Sequence, residues 1–317
     1  MNKSKSIKNI LITGGAGFIG SKLSTELVNL GFNVTVIDLL KYDKSSLNHL
    51  FFYKNFNFVY GDVRDKKLMK KIIKNMDFII PLAALVGAPL CEKYKRIAQE
   101  TNFKAIQLLL KSIKKKQKII YLNSNSGYGI GEKNKYCDET SPLNPVSLYG
   151  KTKVEAEKIV IKHENSVTFR LATVFGCSYR MRSDLIVNNF VLKAVKDKKI
   201  EIFEPHFRRN FVHINDIVSL IVFTIKNFNK LKGKTFNFGN SNENITKYNL
   251  AKKIKKQIKN LKIKLIKGIK DPDKRDYFVS NSKIEKAGFA AKISLDQGIN
   301  EMKRTFEINQ TKIINNY

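Results

Sequence analysis

This chain contains few cysteines, few acidic side chains and no long apolar run. Its three cysteines, Cys91, Cys137 and Cys177, are scattered without paired spacing. That fits a reducing compartment and argues against a metal site. No segment approaches the roughly 20 apolar residues of a membrane span. Residues 1–8 are polar and run straight into an apolar segment, so neither a membrane anchor nor a signal peptide is expected, and a cytoplasmic location is. Asp and Glu number 27 against 59 Lys and Arg, a formal net charge of +32. Such a surface attracts polyanions, yet no nucleic-acid-binding motif accompanies it. In the dense basic stretch 252–267, Ile254, Ile258 and Leu261 recur at helical spacing with lysines between them, which is a solvated helix face. Nucleic acid is therefore not expected as a partner, whereas acidic small molecules are. Internal repeats and low-complexity linkers are also missing.

What is present begins at residues 12–20, Ile-Thr-Gly-Gly-Ala-Gly-Phe-Ile-Gly, between an apolar segment (10–12) and an amphipathic one (23–30). A strand, a glycine-rich turn and a helix in that order make a dinucleotide-binding site. Gly14 and Gly17 let the backbone turn and approach a pyrophosphate, Phe18 and Ile19 continue the loop, and Gly20 lets the helix pack close to the strand. The helix start aims free N–H groups at the phosphates. Strand-like segments at 9–13, 33–38, 56–60, 78–83, 118–123 and 167–172 alternate with helical ones at 21–30, 65–74, 97–115 and 148–163. This alternation predicts an α/β fold, a Rossmann-type doubly wound parallel sheet. After Gly176 the rhythm weakens, with helices at 183–196 and 247–260 and short strands at 200–203 and 262–266. We read residues 1–176 as the cofactor domain, with 210–235 returning to it, because 211–223 again resembles a strand and a helix. Residues 177–209 and 236–317 are read as a smaller, partly interleaved substrate domain.

Asp38 ends the second strand, 18 residues beyond Gly20. A carboxylate there can accept hydrogen bonds from adenosine ribose hydroxyls and repels a 2′-phosphate. Leu39, Leu40 and Lys41 follow, with no arginine, so NAD is expected over NADP. Asp62 and Val63 follow the third strand. Asp62 could hold the adenine amino group, or Asp62 or Asp65 could cap the next helix. Ala83 and Ala84 are small enough to admit a cofactor. Tyr149 and Lys153 open a helix at a spacing that puts both on one face. The ammonium favours the phenolate, so Tyr149 can act as a general base. Ser124 leaves the fifth strand where it can hydrogen-bond a reacting hydroxyl. Asn125 and Ser126 beside it also suit a plain turn.

Together these motifs resemble the extended short-chain dehydrogenase/reductase family, in particular its nucleotide-sugar epimerases and dehydratases, the branch that includes UDP-glucose 4-epimerase. The resemblance implies that Ser124, Tyr149 and Lys153 are catalytic and that NAD takes a hydride from a sugar hydroxyl, usually at C4. It implies substrate contacts from Ser126, Thr173, Asn188, Asn189, Arg209 and Arg275, the last in a diphosphate clamp spanning 270–276. It also implies a homodimer, or a tetramer, assembled through 97–115 and 148–163. Dehydratases of the family carry Asp-Glu after the catalytic threonine, where this chain has Asn125-Ser126, so epimerisation is expected instead. Pro81-Leu82 precede the alanines where the family often has His or Phe. Thr173 stands where the family has Asn, which leaves the sugar open. The stretch 170–182 resembles bacterial subgroups that act on unusual hexoses or heptoses for capsule and lipopolysaccharide. A dehydrogenase that releases a keto-sugar, and a non-catalytic NAD- or RNA-binding relative, are the alternatives.

Overall fold

The computed structural model describes residues 7–132, 135–268 and 276–308. Its strands are β1 (Asn9–Thr13), β2 (Asn33–Asp38), β3 (Phe56–Tyr60), β4 (Phe78–Pro81), β5 (Lys118–Ser124), β6 (Tyr136–Cys137) and β7 (Ser166–Leu171). They continue as β8 (Thr173–Phe175), β9 (Lys199–Phe203), β10 (Arg208–His213), β11 (Lys234–Phe238), β12 (Asn244–Thr246), β13 (Lys262–Ile266) and β14 (Phe278–Val279). The helices are α1 (Phe18–Asn29), α2 (Lys66–Ile73), α3 (Ala88–Lys93), α4 (Lys95–Gln99), α5 (Ala105–Ser112) and α6 (Leu148–Val160). After them come α7 (Ile186–Lys196), α8 (Ile214–Lys226), α9 (Phe228–Leu231), α10 (Lys247–Gln257), α11 (Ser282–Lys286) and α12 (Leu295–Ile308).

Seven strands form one parallel sheet in the order β11-β7-β5-β4-β1-β2-β3. The chain winds outward from β1 to β3, then returns to the other side of β1 with β4. The strand order therefore reverses between β1 and β4, which is where open α/β sheets leave a crevice for ligands. Both faces are covered. Ile10 and Ile12 of β1 pack with Leu23 and Leu27 of α1, while Leu11 points the other way onto Met69, Ile73 and Leu109. Each such side chain contributes about 1.5–3 kcal/mol when fully buried. A second core gathers Phe175, Phe190, Phe211, Leu250, Leu295 and Met302. It sits under the small three-stranded sheet β12-β10-β8 and the pair β13-β9. Among the described residues no helix is long and apolar enough to cross a membrane.

Some elements differ from the sequence reading. The helix expected over 97–115 is interrupted: α4 gives way to a π-helical turn, Glu100–Lys104, before α5 begins. Such a widened turn re-aims a side chain, here Asn102. The helix expected from 183 starts at Ile186, because Arg182 pairs with Asp184 and the Asn188 amide holds the Arg182 carbonyl. The return to the large sheet expected at 210–235 is made by α8, whose Ile217, Leu220 and Ile221 enter the main core, and by β11, which runs on to Phe238. β10 pairs instead with β8 and β12, because the edge of β7 is already filled by β11.

Candidate active site

The glycine loop sits in the crevice between β1 and β4. Gly14 has φ +70°, and a Cβ there would lie 2.6 Å from the Ala83 nitrogen. A Cβ at Gly20 would lie 2.4 Å from the Gly14 carbonyl oxygen. Both positions therefore exclude a side chain for packing reasons alone. Gly17 precedes α1, and no side chain caps that helix, so its first N–H groups face the crevice without a side-chain acceptor. Gly15, which the motif spacing does not single out, is needed too, since a Cβ there would meet the Val36 side chain at 2.6 Å.

Asp38 closes the loop from the β2 side. Its carboxylate accepts from the Ala16 N–H at 3.0 Å and the Leu40 N–H at 2.9 Å. Burial raises its pKa against those donors. Asp62 faces the same cavity and is held by Arg64, with Nη2 to Oδ2 at 2.7 Å. That hydrogen-bonded guanidinium lowers the Asp62 pKa. The capping alternative falls to Asp65, whose Oδ1 accepts from the Lys67 and Leu68 N–H groups. Phe18, Ile19, Val63, Ala83 and Ala84 all line the cavity.

Ser124, Tyr149 and Lys153 line it as well. Ser147 caps α6, accepting from the Gly150 N–H at 3.2 Å, and so sets Tyr149 in the first turn. Ser124 Oγ accepts from Ser126 Oγ at 2.8 Å and from the Ser126 N–H at 3.2 Å. Lys153 is buried with its ammonium 4.2 Å from the centre of the Tyr121 ring. Desolvation pulls its pKa down to about 7, against a smaller opposing pull from Glu157.

Two supporting residues carried no signal in the motifs. Glu157 lies one turn beyond Lys153 on α6. It accepts from Asn123 Nδ2 and from Arg170, with Nη2 to Oε1 at 2.7 Å, all buried. Asn123 Oδ1 in turn accepts the Ser124 N–H at 2.8 Å, so one carboxylate ties the Tyr149–Lys153 helix to the Ser124 strand. Asn102, in the π turn, accepts the Leu85 N–H at 2.8 Å and donates to the Leu85 carbonyl at 3.0 Å and to Thr152 Oγ1 at 3.3 Å. Arg170 was visible only as part of a family pattern, and Asn102 stands among other polar residues (Gln99, Glu100, Thr101) with nothing to single it out.

The cavity has a volume of about 710 Å³ and continues from the cofactor crevice to the second core. Thr173, Asn189 and Arg209 line it, joined by Lys193, Phe203 and Lys247. The Lys247 ammonium is 4.5 Å from the Phe203 ring centre. The loop after β8 reaches back over α1: Ser178 Oγ donates to the Phe18 carbonyl at 2.6 Å and Lys22 Nζ to the Cys177 carbonyl at 2.9 Å. It brings Arg180 against the Tyr42 ring at 4.8 Å.

Two residues expected to contact substrate lie off the cavity lining. Asn188 is fully buried off the cavity, its amide committed to the Gly176 N–H, the Gly176 carbonyl and the Arg182 carbonyl. Helical periodicity puts its neighbour Asn189 on the cavity side. Ser126 is buried behind Ser124, which its hydroxyl serves. Arg275 lies outside the described residues.

The side-chain-free cradle at Gly14 and Gly20, the uncapped α1 and the acidic end of β2 fit a dinucleotide, and the shape leads from it to a phenol, a lysine and a serine. That combination defines a dinucleotide-dependent enzyme. The family model described as NAD dependent epimerase/dehydratase family matches residues 10–239. The chain belongs to that family, and NAD is its cofactor. It is 30% identical over 272 residues to dTDP-D-glucose 4,6-dehydratase of Dictyostelium discoideum, covering 78% of this chain and 62% of that one. It is 27% identical to CDP-paratose 2-epimerase of Salmonella typhi, covering 92% and 97%. Among solved structures, UDP-glucose 4-epimerase of Thermotoga maritima with UDP-glucose superposes with a TM-score of 0.85 at 25% identity, covering 96% of this chain and all of that one (100%).

Proposed function

We propose that this protein oxidises a nucleotide-diphosphate sugar at C4 and returns the hydride to the opposite face, a net epimerisation that regenerates NAD in each turnover. One observation carries the reading: Ser124, Tyr149 and Lys153 share a cavity with the dinucleotide loop at one end and Lys193, Arg209 and Lys247 at the other. The cationic end suits a nucleoside diphosphate, and a sugar attached to it extends toward Tyr149. NAD, when bound, supplies a hydride acceptor.

The residues have separate tasks. Tyr149 Oη takes the proton of the C4 hydroxyl as the C4 hydrogen leaves as hydride. Lys153 stabilises the phenolate by its charge. Ser124 Oγ hydrogen-bonds the reacting oxygen, and Ser126 orients Ser124. Asp38 holds the adenosine ribose and Asp62 the adenine side. No carboxyl follows Ser124, since Asn125 and Ser126 stand there, which supports epimerisation over 4,6-dehydration. Assembly as a homodimer through α4, α5 and α6 belongs to the same reading, supported by Phe103, Leu110 and Ile159, which are only partly buried on that side.

The test is a panel of UDP-, dTDP-, GDP- and CDP-sugars with NMR of the products. Inverted sugar is expected. A released keto-sugar with enzyme-bound NADH would make the protein a dehydrogenase instead. Tyr149→Phe is expected to keep NAD and lose about 10²–10⁴-fold in rate.

A further inference from the structure

We propose that the reacting end of the cavity is built for a deoxygenated sugar, a nucleotide-linked 6-deoxyhexose whose exocyclic carbon is a methyl group. The inference rests on the function proposed above and names its sugar class.

From Pro81 to Leu90 the chain carries no polar side chain. Ala84, Leu85, Val86, Ala88 and Pro89 of this stretch line the cavity. They stand beside the chemistry, because Leu85 and Leu90 belong to the small apolar cluster against which Tyr149 packs. An apolar wall can still bind a hydroxyl through its backbone, but here much of that backbone is occupied. The Leu82 N–H donates to the Thr13 carbonyl and the Ala83 N–H to Thr13 Oγ1. Asn102 takes both the N–H and the carbonyl of Leu85, and the Cys91 thiol donates to that same carbonyl at 3.3 Å. The Gly87 carbonyl accepts the Cys91 N–H. The wall is also rigid, since Asn102 links it to Thr152 beside Lys153.

There is room against this wall. A Cβ built on Gly87 meets no protein atom within 4 Å, and the neighbouring side chains are small. The charged lining groups all come from other segments: Arg182, for one, is paired with Asp184 on the loop after β8, and Lys193, Arg209 and Lys247 come from α7, β10 and α10. A sugar hydroxyl turned to these side chains loses water and finds no side-chain partner among residues 81–90, whereas a methyl group gains contact. An apolar wall rejects an added hydroxyl only moderately, by about 10–100-fold. A carboxylate in the same place is rejected far more strongly.

The experiment compares hexose, 6-deoxyhexose and hexuronate carried on the same nucleotide, for each of UDP, dTDP, GDP and CDP. The readouts are kcat/KM and calorimetric binding of the free nucleoside diphosphate. A 10–100-fold preference for the 6-deoxyhexose is expected on the accepted nucleotide, with no detectable turnover of the hexuronate. Val86→Ser places a hydroxyl on the wall and is expected to narrow the preference about 10-fold, with nucleoside diphosphate binding reporting that the variant is folded. Equal or better turnover of the hexose or hexuronate overturns the inference and leaves the proposed function standing. So does a folded Val86→Ser with an unchanged ratio. If no sugar nucleotide on the panel is turned over, the proposed function falls and this inference with it.

Discussion

Replacing Glu157 by leucine tests whether one buried carboxylate holds the catalytic helix to the serine strand. Glu157 is 2% exposed and Arg170 6% exposed. The Arg170 guanidinium makes bonds of 2.7 Å and 3.0 Å to Glu157 Oε1 and one of 2.9 Å to the Tyr128 hydroxyl. Without the carboxylate the guanidinium stays buried with a tyrosine and a carbonyl as its partners, and Asn123 loses the acceptor of its amide. Removing one partner of a buried pair costs about 3–5 kcal/mol. With an unfolding entropy near 2.1 cal/mol/K per residue, a chain of 317 residues would lose about 5–8 °C in Tm. The Glu157→Leu/Arg170→Met double variant removes both charges and is expected to recover most of that loss, since a buried pair exchanged for apolar residues is often neutral. A catalytic effect should persist in the double variant. Glu157 opposes the desolvation of Lys153, so without it the ammonium loses its proton at lower pH and the alkaline limb of the pH–rate profile moves down. Thermal unfolding and a pH–rate series on the three proteins decide the matter. A single variant within about 1 kcal/mol of wild type, or a double variant no more stable than the single, would refute the reasoning.

Other expectations follow from the same geometry. Lys153, at about 7 in the fold against 10.5 when solvated, binds fewer protons folded than unfolded. Stability should therefore rise as pH climbs from about 7 toward 10.5 and be lowest below 7. Lys153→Met should flatten that slope and raise stability at pH 6.5 by about 3–5 kcal/mol while abolishing turnover, as denaturant unfolding at pH 6.5 and 9.5 will show. Gly20→Ala puts a methyl 2.4 Å from the Gly14 carbonyl and should displace the loop, so that fluorescence titration finds NAD affinity at least about 10-fold weaker. Asn102→Leu frees the Leu85 N–H and leaves the Leu85 carbonyl only the Cys91 thiol, and should lower kcat with little change in nucleoside diphosphate binding. An unchanged kcat would show that the π turn does not position the Leu85 wall.

The parts legible in the sequence are those set by local rules. β2, β3 and β13 fall on the residues expected from apolar runs (Asn33–Asp38, Phe56–Tyr60, Lys262–Ile266). Gly14, Gly17, Gly20, Asp38, Tyr149 and Lys153 were visible because spacing alone puts them at the start of a helix or the end of a strand. What was missed depended on partners distant in the chain. Periodicity could not choose between Asn188 and Asn189, since both sit on one helix and only the Gly176 turn decides which is buried. β11 and α12 were not read from the sequence, although Leu295, Ile299, Met302 and Phe306 of α12 recur at helical spacing. The π turn at Glu100–Lys104 has no sequence rule of its own.

By itself the sequence determined a parallel α/β sheet, a dinucleotide loop selecting NAD, and a tyrosine–lysine pair one helical turn apart. Each of these is a short-range consequence of glycine sterics, helix period or charge. Only the tertiary structure decided how they become a site. It brought Ala83 against Gly14 across the β1–β4 reversal, tied Ser124 to α6 through Glu157, and used Asn102 to press an apolar wall beside Tyr149. Those decisions were reserved to it because a buried charge or amide is satisfied by whichever strand or turn the packing delivers, and spacing along the chain carries no record of that choice.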